Sequence, residues 1–257
     1  VLAGDFCKEA SDLGMPFIGV GFMYPQGYFH QKVTADGWQE ETYEILNWDD
    51  APTRPTVQPD GTRCTVSVPL GTRTVHAAVW QVRAGKVRLF LLDTDIDENA
   101  PWARGLSARL YGGNQEMRLQ QEIVLGLGGV RALKAMGIEP AVWHLNEGHA
   151  AFVALQRIWD QIELGASFDT ALEHVRATTV FTTHTPVPAG HDAFPFPLVE
   201  THMAGAWGGL GEYRERQKEA LKRDPSHVGE KGKVAITDDQ IRESLETSQL
   251  RLQSERG

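Results

Sequence analysis

Apolar residues along this chain recur first at helical spacing over residues 6–13, up to Gly14. They then form the unbroken run Phe17-Ile18-Gly19-Val20-Gly21-Phe22-Met23. That run is short enough for a buried strand. Gly19 and Gly21 lie inside it instead of in a turn feeding a helix. They therefore read as close-approach glycines and not as a nucleotide-binding loop. Over residues 56–95 the period drops to two. Val66/Val68, Val75/Ala77/Val79 and Val87/Leu89/Leu91 alternate with other residues, and Asp60-Gly61 and Ala84-Gly85-Lys86 supply turns. This predicts an antiparallel meander. It runs out into Asp93-Thr94-Asp95-Ile96-Asp97, whose acidic spacing imitates a calcium loop without that loop's glycine and distal glutamate, so a solvated turn is expected.

From Asn114 to Gly137 the period becomes helical. Met117, Ile123, Val124, Leu127, Val130, Leu133 and Met136 make one broad apolar face, and Asn114 is placed to cap it. Gly126, Gly128 and Gly129 interrupt that helix, which points to close packing. A β-α-α-β pattern follows. Ala141-Val142-Trp143-His144-Leu145 is a strand, Phe152, Leu155, Trp159 and Ile162 share one helix face, and Ser167 caps a second helix with Phe168, Leu172 and Val175 inward. Thr179-Val180-Phe181-Thr182 is the returning strand. Strands joined through helices lie parallel, by a right-handed crossover. Ligands in such sheets bind beyond the carboxyl ends of the strands.

Composition narrows the function classes. The 257 residues are 41% hydrophobic and 23% charged, an ordinary globular balance. Lys+Arg 25 against Asp+Glu 34 gives a net charge of −9. With no basic cluster, nucleic acid and anionic membrane are poor partners. Two cysteines, Cys7 and Cys64, make no disulfide framework, so a reducing, cytoplasmic setting is expected. The stretch 214–257 is rich in charge and has no aromatic residue, although the chain holds Phe 10, Trp 7 and Tyr 5. It is expected to be a solvated tail, with one weak helix after the capping box Thr237-Asp238-Asp239-Gln240. The start at Val1, without Met, is read as a cut through something larger.

Two polar clusters sit at the expected strand ends. One is His144-Leu145-Asn146-Glu147-Gly148-His149, and the other is Thr182-Thr183-His184-Thr185-Pro186-Val187-Pro188-Ala189-Gly190-His191-Asp192. Four histidines, a glutamate, an aspartate and an asparagine would converge on one crevice, beside backbone N–H groups near Gly148. Amides, imidazoles and carboxylates suit a polyhydroxylated ligand, and the same set suits a metal. Taken singly, His144 reads as a bonded core residue, Asn146 and Glu147 as caps, His191-Asp192 as a loop ion pair, and His174 and His202 as surface histidines. The i, i+5 spacing of His144 and His149 does not put both rings on one helical face, which weakens the metal reading. No Gly-x-Ser-x-Gly elbow is present, and neither cysteine has a histidine nearby in sequence.

At these clusters the chain resembles the α-glucan (glycogen, maltodextrin) phosphorylase family, in its bacterial-type branch. The resemblance runs in order over residues 1–216. It takes in Leu2-Ala3-Gly4-Asp5, Ala10-Ser11-Asp12-Leu13-Gly14, Gly27-Tyr28-Phe29-His30-Gln31 and Gly37-Trp38-Gln39. It continues through Leu92-Asp93-Thr94-Asp95, Leu110-Tyr111-Gly112-Gly113-Asn114 and Arg118-Leu119-Gln120-Gln121-Glu122. The His144–His149 and Thr183-His184-Thr185-Pro186-Val187-Pro188 motifs complete the series.

The resemblance implies an α/β fold, a partial Rossmann-like N-terminal lobe of a GT-B glycosyltransferase with the antiparallel meander of 56–95 as an insert. Residues 1–213 would be that partial lobe and 214–257 a tail of other origin. The implied reaction is retaining phosphorolysis of α-1,4-glucan to α-glucose 1-phosphate, with pyridoxal phosphate acting through its phosphate. By motif position His184 and Glu147 are the catalytic pair. Asn114, Asn146, His149, Thr185 and Asp192 are the sugar-binding residues. The family's cofactor lysine and substrate-phosphate residues have no counterpart here, so this reads as an N-terminal-lobe fragment, inactive alone, with no metal. Glucan or maltodextrin and phosphate are the implied partners, and a homo-oligomeric parent is left open. Two alternatives stand beside it. One is a stand-alone glucan-binding module. The other is a metal-dependent hydrolase using His144, Glu147, His149, His184 and His191.

Overall fold

A computed structural model describes residues 2–27, 30–44, 51–109, 113–184, 192–223 and 233–234. Two compact units form, one from Val1–Val68 with Thr74–Glu139 and one from Pro69–Arg73 with Pro140–Gly257. The fold is mixed α/β, with both parallel and antiparallel pairing.

The first unit opens with α1 (Leu2–Asp12). It stops where expected. Gly14 takes a left-handed φ of 67°, and the Met15 N–H reaches back to the Ala10 carbonyl at 2.9 Å. Such a glycine lets the last carbonyls of a helix find donors. The strands are β1 (Ile18–Phe22), β2 (His30–Val33), β3 (Gln39–Thr42), β4 (Thr53–Pro55), β5 (Thr65–Leu70), β6 (Arg73–Ala84) and β7 (Val87–Asp93). β2 and β3 make a separate exposed hairpin. The main sheet runs β1-β7-β6-β4, with β5 also on β6.

The meander forms as its alternation predicts, but it is not a self-contained insert. β7 pairs antiparallel with β6 and parallel with β1, from Ile18↔Arg88 to Phe22↔Leu92. Being central, β7 is packed on both faces. Val87, Phe90 and Leu92 are buried, while Leu89 and Leu91 are half-buried against the glycines of β1. A Cβ on Gly19 would lie 2.7 Å from Leu89 Cδ2, which is why that strand position carries none.

After the short α2 (Pro101–Arg104), α3 (Gln115–Ala135) lies across this sheet, capped by Asn114 Oδ1, which accepts from the Met117 N–H at 2.9 Å. Two of its interior glycines, Gly128 and Gly129, are explained by side chains of the sheet. A Cβ on Gly128 would meet Val68 at 3.2 Å and Leu92 at 3.4 Å, and one on Gly129 would meet Val20 at 3.1 Å. Glycine weakens a helix by about 1 kcal/mol relative to alanine. Here it lets Leu119, Ile123, Val124 and Leu127 become fully buried.

The acidic run after β7 is not the solvated turn its composition suggests. Asp93 and Thr94 are buried. Trp80 Nε1 donates to Asp93 Oδ2 at 3.1 Å, the Asp95 N–H donates to Asp93 Oδ1 at 2.9 Å, and the Thr94 N–H donates to Ser107 Oγ at 2.9 Å. Burial pushes the Asp93 carboxyl above its usual range, against the pull of those donors. Only Asp95 and Asp97 face water, both paired with Arg104.

The second unit contains β8 (Trp143–Asn146), α4 (Phe152–Glu163), α5 (Phe168–Ala177) and β9 (Thr179–Thr182). It continues with β10 (Phe194–Pro195), α6 (Phe196–Met203), α7 (Trp207–Arg223) and β11 (Lys233–Val234). β8 and β9 are parallel, from Trp143↔Thr179 to Asn146↔Thr182. Ser167 caps α5 as expected. Phe152, Leu155 and Ile158 of α4 and Phe168, Ala171 and Val175 of α5 are among the buried positions of these two helices.

His174 is exposed, whereas His202, expected at the surface, is buried on α6. The boundary expected at 213/214 falls inside α7. There Arg216 pairs with Asp169 at 2.7 Å and lies over the Phe168 ring, and Arg214 pairs with Glu200 at 2.7 Å. The capping box at 237–240 lies outside the described residues. No helix among the described residues is long and apolar enough to cross a membrane.

Candidate functional site

The carboxyl ends of β8 and β9 bring the two sequence clusters together. In parallel strands, side chains two residues apart share a face. The register Asn146↔Thr182 therefore puts His144, Asn146, Thr182 and His184 on one side. They form two diagonal contacts. His144 Nε2 meets Thr182 Oγ1 at 2.7 Å, and His184 Nε2 meets Asn146 Oδ1 at 2.9 Å. His144 is exposed and bonded across the strands, so the core reading of that residue is corrected.

Glu147 does not cap the turn that follows it. Its side chain makes no cap bond to the single 3-10 turn Gly148–Ala150. It points instead to the exit of β9. Its Oε1 accepts from the His184 N–H at 2.5 Å, and its Oε2 accepts from Thr183 Oγ1 at 3.1 Å. Its own N–H donates to the Thr182 carbonyl at 2.9 Å. Glu147 has φ 67°, the one non-glycine residue with positive φ among those described.

The other expected residues are placed as follows. His149 is exposed in the 3-10 turn, and Asp192 is exposed before β10. Asn114 belongs to the first unit, where its side chain caps α3. Thr185 and His191 lie outside the described residues. Among the described residues no three His, Cys, Asp or Glu side chains group to hold a metal ion. The strand-end cluster consists of imidazoles, an amide, a carboxylate and hydroxyls. With no lysine or arginine among its members, it does not fit pyridoxal phosphate, which needs an amine and a basic phosphate cradle.

The opposite, amino end of the same strand pair carries a residue that sequence reading missed. Arg157 of α4 is buried, bonds Thr179 Oγ1 at 2.7 Å and Thr178 Oγ1 at 2.5 Å, and lies over the Trp143 ring at 5.1 Å. Burial lowers its pKa to about 10. The only sequence signal is an arginine two residues before Trp159, on the helix side opposite the apolar face of Phe152, Leu155, Trp159 and Ile162. This clamp ties α4 to the start of β9.

No family model matches the chain. Individual relatives do. It is 47% identical to the maltodextrin phosphorylase of Thermococcus litoralis over 210 residues, 82% of this chain and 25% of that protein. It is 50% identical to the glycogen phosphorylase of Mycobacterium tuberculosis over 210 residues, 79% of this chain and 24% of that one. Over 199 residues it is 43% identical to the glycogen phosphorylase of Aquifex aeolicus, 77% of this chain and 29% of that protein. Over this stretch the chain is a homologue of the glycogen and maltodextrin phosphorylases. It spans about a quarter of the length of these curated relatives. The ordered motifs that carry the sequence resemblance thus correspond to extended similarity, and neither the binding-module nor the hydrolase alternative is favoured.

Proposed function

We propose that the chain supplies part of the sugar-binding side of an α-1,4-glucan phosphorylase, in the Rossmann-like N-terminal lobe of a cytoplasmic GT-B enzyme. The observation that supports this most is the conjunction of two things. The similarity to phosphorylases covers about four-fifths of the chain, and the His144–His149 and Thr183–His184 motifs within it meet at one pair of strand ends.

In this reading the substrate is glycogen or maltodextrin together with inorganic phosphate. His184 holds the non-reducing glucosyl unit, and its main-chain carbonyl faces the cationic character that develops at the anomeric carbon. Oriented oxygen dipoles stabilise such a state. Glu147 adds negative charge beside it. His149, Thr185 and Asp192 bond sugar hydroxyls, Asn146 stands beside them against the His184 ring, and Asn114 stands near a gating segment. Pyridoxal phosphate would be held by parts of the enzyme beyond this chain's cluster and would supply a phosphate group there.

The test is a segment exchange. Residues 1–216 replace the matching stretch of the Mycobacterium tuberculosis glycogen phosphorylase, and glucose 1-phosphate release from maltoheptaose is measured. An active exchange enzyme, alongside an inactive 257-residue chain, is the expected result. An exchange enzyme that folds and binds cofactor but releases no product would overturn the proposal.

A further inference from the structure

Along a regular strand, Asn146 and Glu147 would point to opposite faces. Here both reach the same neighbour. Asn146 Oδ1 meets the imidazole Nε2 of His184 at 2.9 Å, and Glu147 Oε1 accepts from the main-chain N–H of His184 at 2.5 Å. The backbone of Glu147 makes this possible. Its φ of 67° turns the chain into a region that is strained for a non-glycine residue, and such outliers persist only where surrounding contacts hold them. Those contacts are the Glu147 N–H on the Thr182 carbonyl and the Glu147 carboxylate on Thr183 and His184.

We infer that Asn146 and Glu147 are positioning residues that clamp His184 at two points, ring and main chain, and that the left-handed turn at Glu147 is the device that aims both at it. Glu147 then serves the reaction by fixing where the His184 carbonyl and imidazole sit. Asn146, with its amide oxygen toward the ring, holds the hydrogen on Nε2 and leaves Nδ1 as the acceptor. This assignment rests on the phosphorylase reading only for what His184 does. The clamp itself is a property of this chain.

The experiment has two arms. In the 257-residue chain, amide exchange at His184 and the ring nitrogen shifts of His184 are followed by NMR. Glu147→Ala should speed exchange of the His184 amide by on the order of tenfold or more, because a charge-assisted bond is lost. Glu147→Gln keeps an acceptor oxygen and should restore most of the protection. Asn146→Leu should change the His184 ring shifts toward a mixture of tautomers, while Asn146→Asp should keep the Nε2–H form. Unchanged exchange in Glu147→Ala, or ring shifts that ignore Asn146→Leu, overturns the clamp.

In the exchange enzyme the same variants should lower kcat, with KM for maltoheptaose nearly constant, and Glu147→Gln should exceed Glu147→Ala. A KM-only loss would mean direct sugar contact and also overturn the inference. If the parental exchange enzyme is inactive while the NMR arm behaves as stated, the phosphorylase reading fails and the clamp stands.

Discussion

Two parallel strand pairs in this molecule have the same backbone pairing and opposite surroundings. β1·β7 is an apolar ladder. Phe22, Phe90 and Leu92 are buried, glycines at 19 and 21 admit the leucines of β7, and α3 covers the sheet through Gly128 and Gly129. β8·β9 carries one buried apolar side chain in β8, Leu145, while His144, Asn146 and Val180 are exposed. Its order comes from directional contacts instead: Arg157 at the amino end, and the Asn146, Glu147 and His184 lattice at the carboxyl end. Burial is non-directional, so it fixes a layer without aiming any group. Hydrogen bonds fix atoms, so the pair held by them is the one that can present chemistry.

The sharpest break of this comparison is in the apolar pair. Phe90→Ala removes a fully buried ring from the central strand and should cost about 3–5 kcal/mol of stability, read from urea unfolding of the chain. A loss as small as that of a surface substitution would show that β1·β7 is not held by burial.

His184→Ala should do the reverse. Stability of the chain should change little, because the ring is exposed, while kcat/KM in the exchange enzyme falls about 10²–10³-fold. His174→Ala, on the exposed side of α5, is the control and should leave turnover near parental. Crippling by His174→Ala together with normal turnover in His184→Ala would misplace the site.

Arg157→Lys tests the directional clamp from its other end. A single ammonium cannot span Thr178 and Thr179 as the guanidinium fork does, so stability should fall by roughly 1–3 kcal/mol although the charge is kept. Equal midpoints for both proteins would show that the fork is dispensable.

The smallest effect belongs to Asp93, a buried carboxyl of the first unit. Its folded pKa is raised, chiefly by burial. The native state therefore holds the proton more tightly than the unfolded chain. The stability this contributes is fully present below the unfolded value near 3.8 and is lost as pH rises through the higher folded value. Asp93→Asn should flatten that decline in unfolding midpoints between acid and neutral pH. A decline unchanged in the variant would assign it to other groups.

Much of this molecule is written locally. Helix ends follow from Asn114, Ser167, Gly14 and Gly137, because caps and left-handed stops act within one turn of chain. The β-α-α-β unit follows from a change of hydrophobic period, and the similarity to phosphorylases from ordered motifs. What tertiary structure alone decided is which face each polar group meets. Asp93 and His202 are polar by type yet buried. Leu89 and Leu91 alternate as core residues yet sit half-buried beside β1, because β7 is central. Glu147 reads as a cap but reaches across to His184, since its left-handed backbone is held by bonds to residues 35 or more positions away. Period and caps are properties of neighbours in sequence. Burial of a particular polar atom, and the aim of a particular carboxylate, depend on strand register and close approach, which no single stretch of sequence contains.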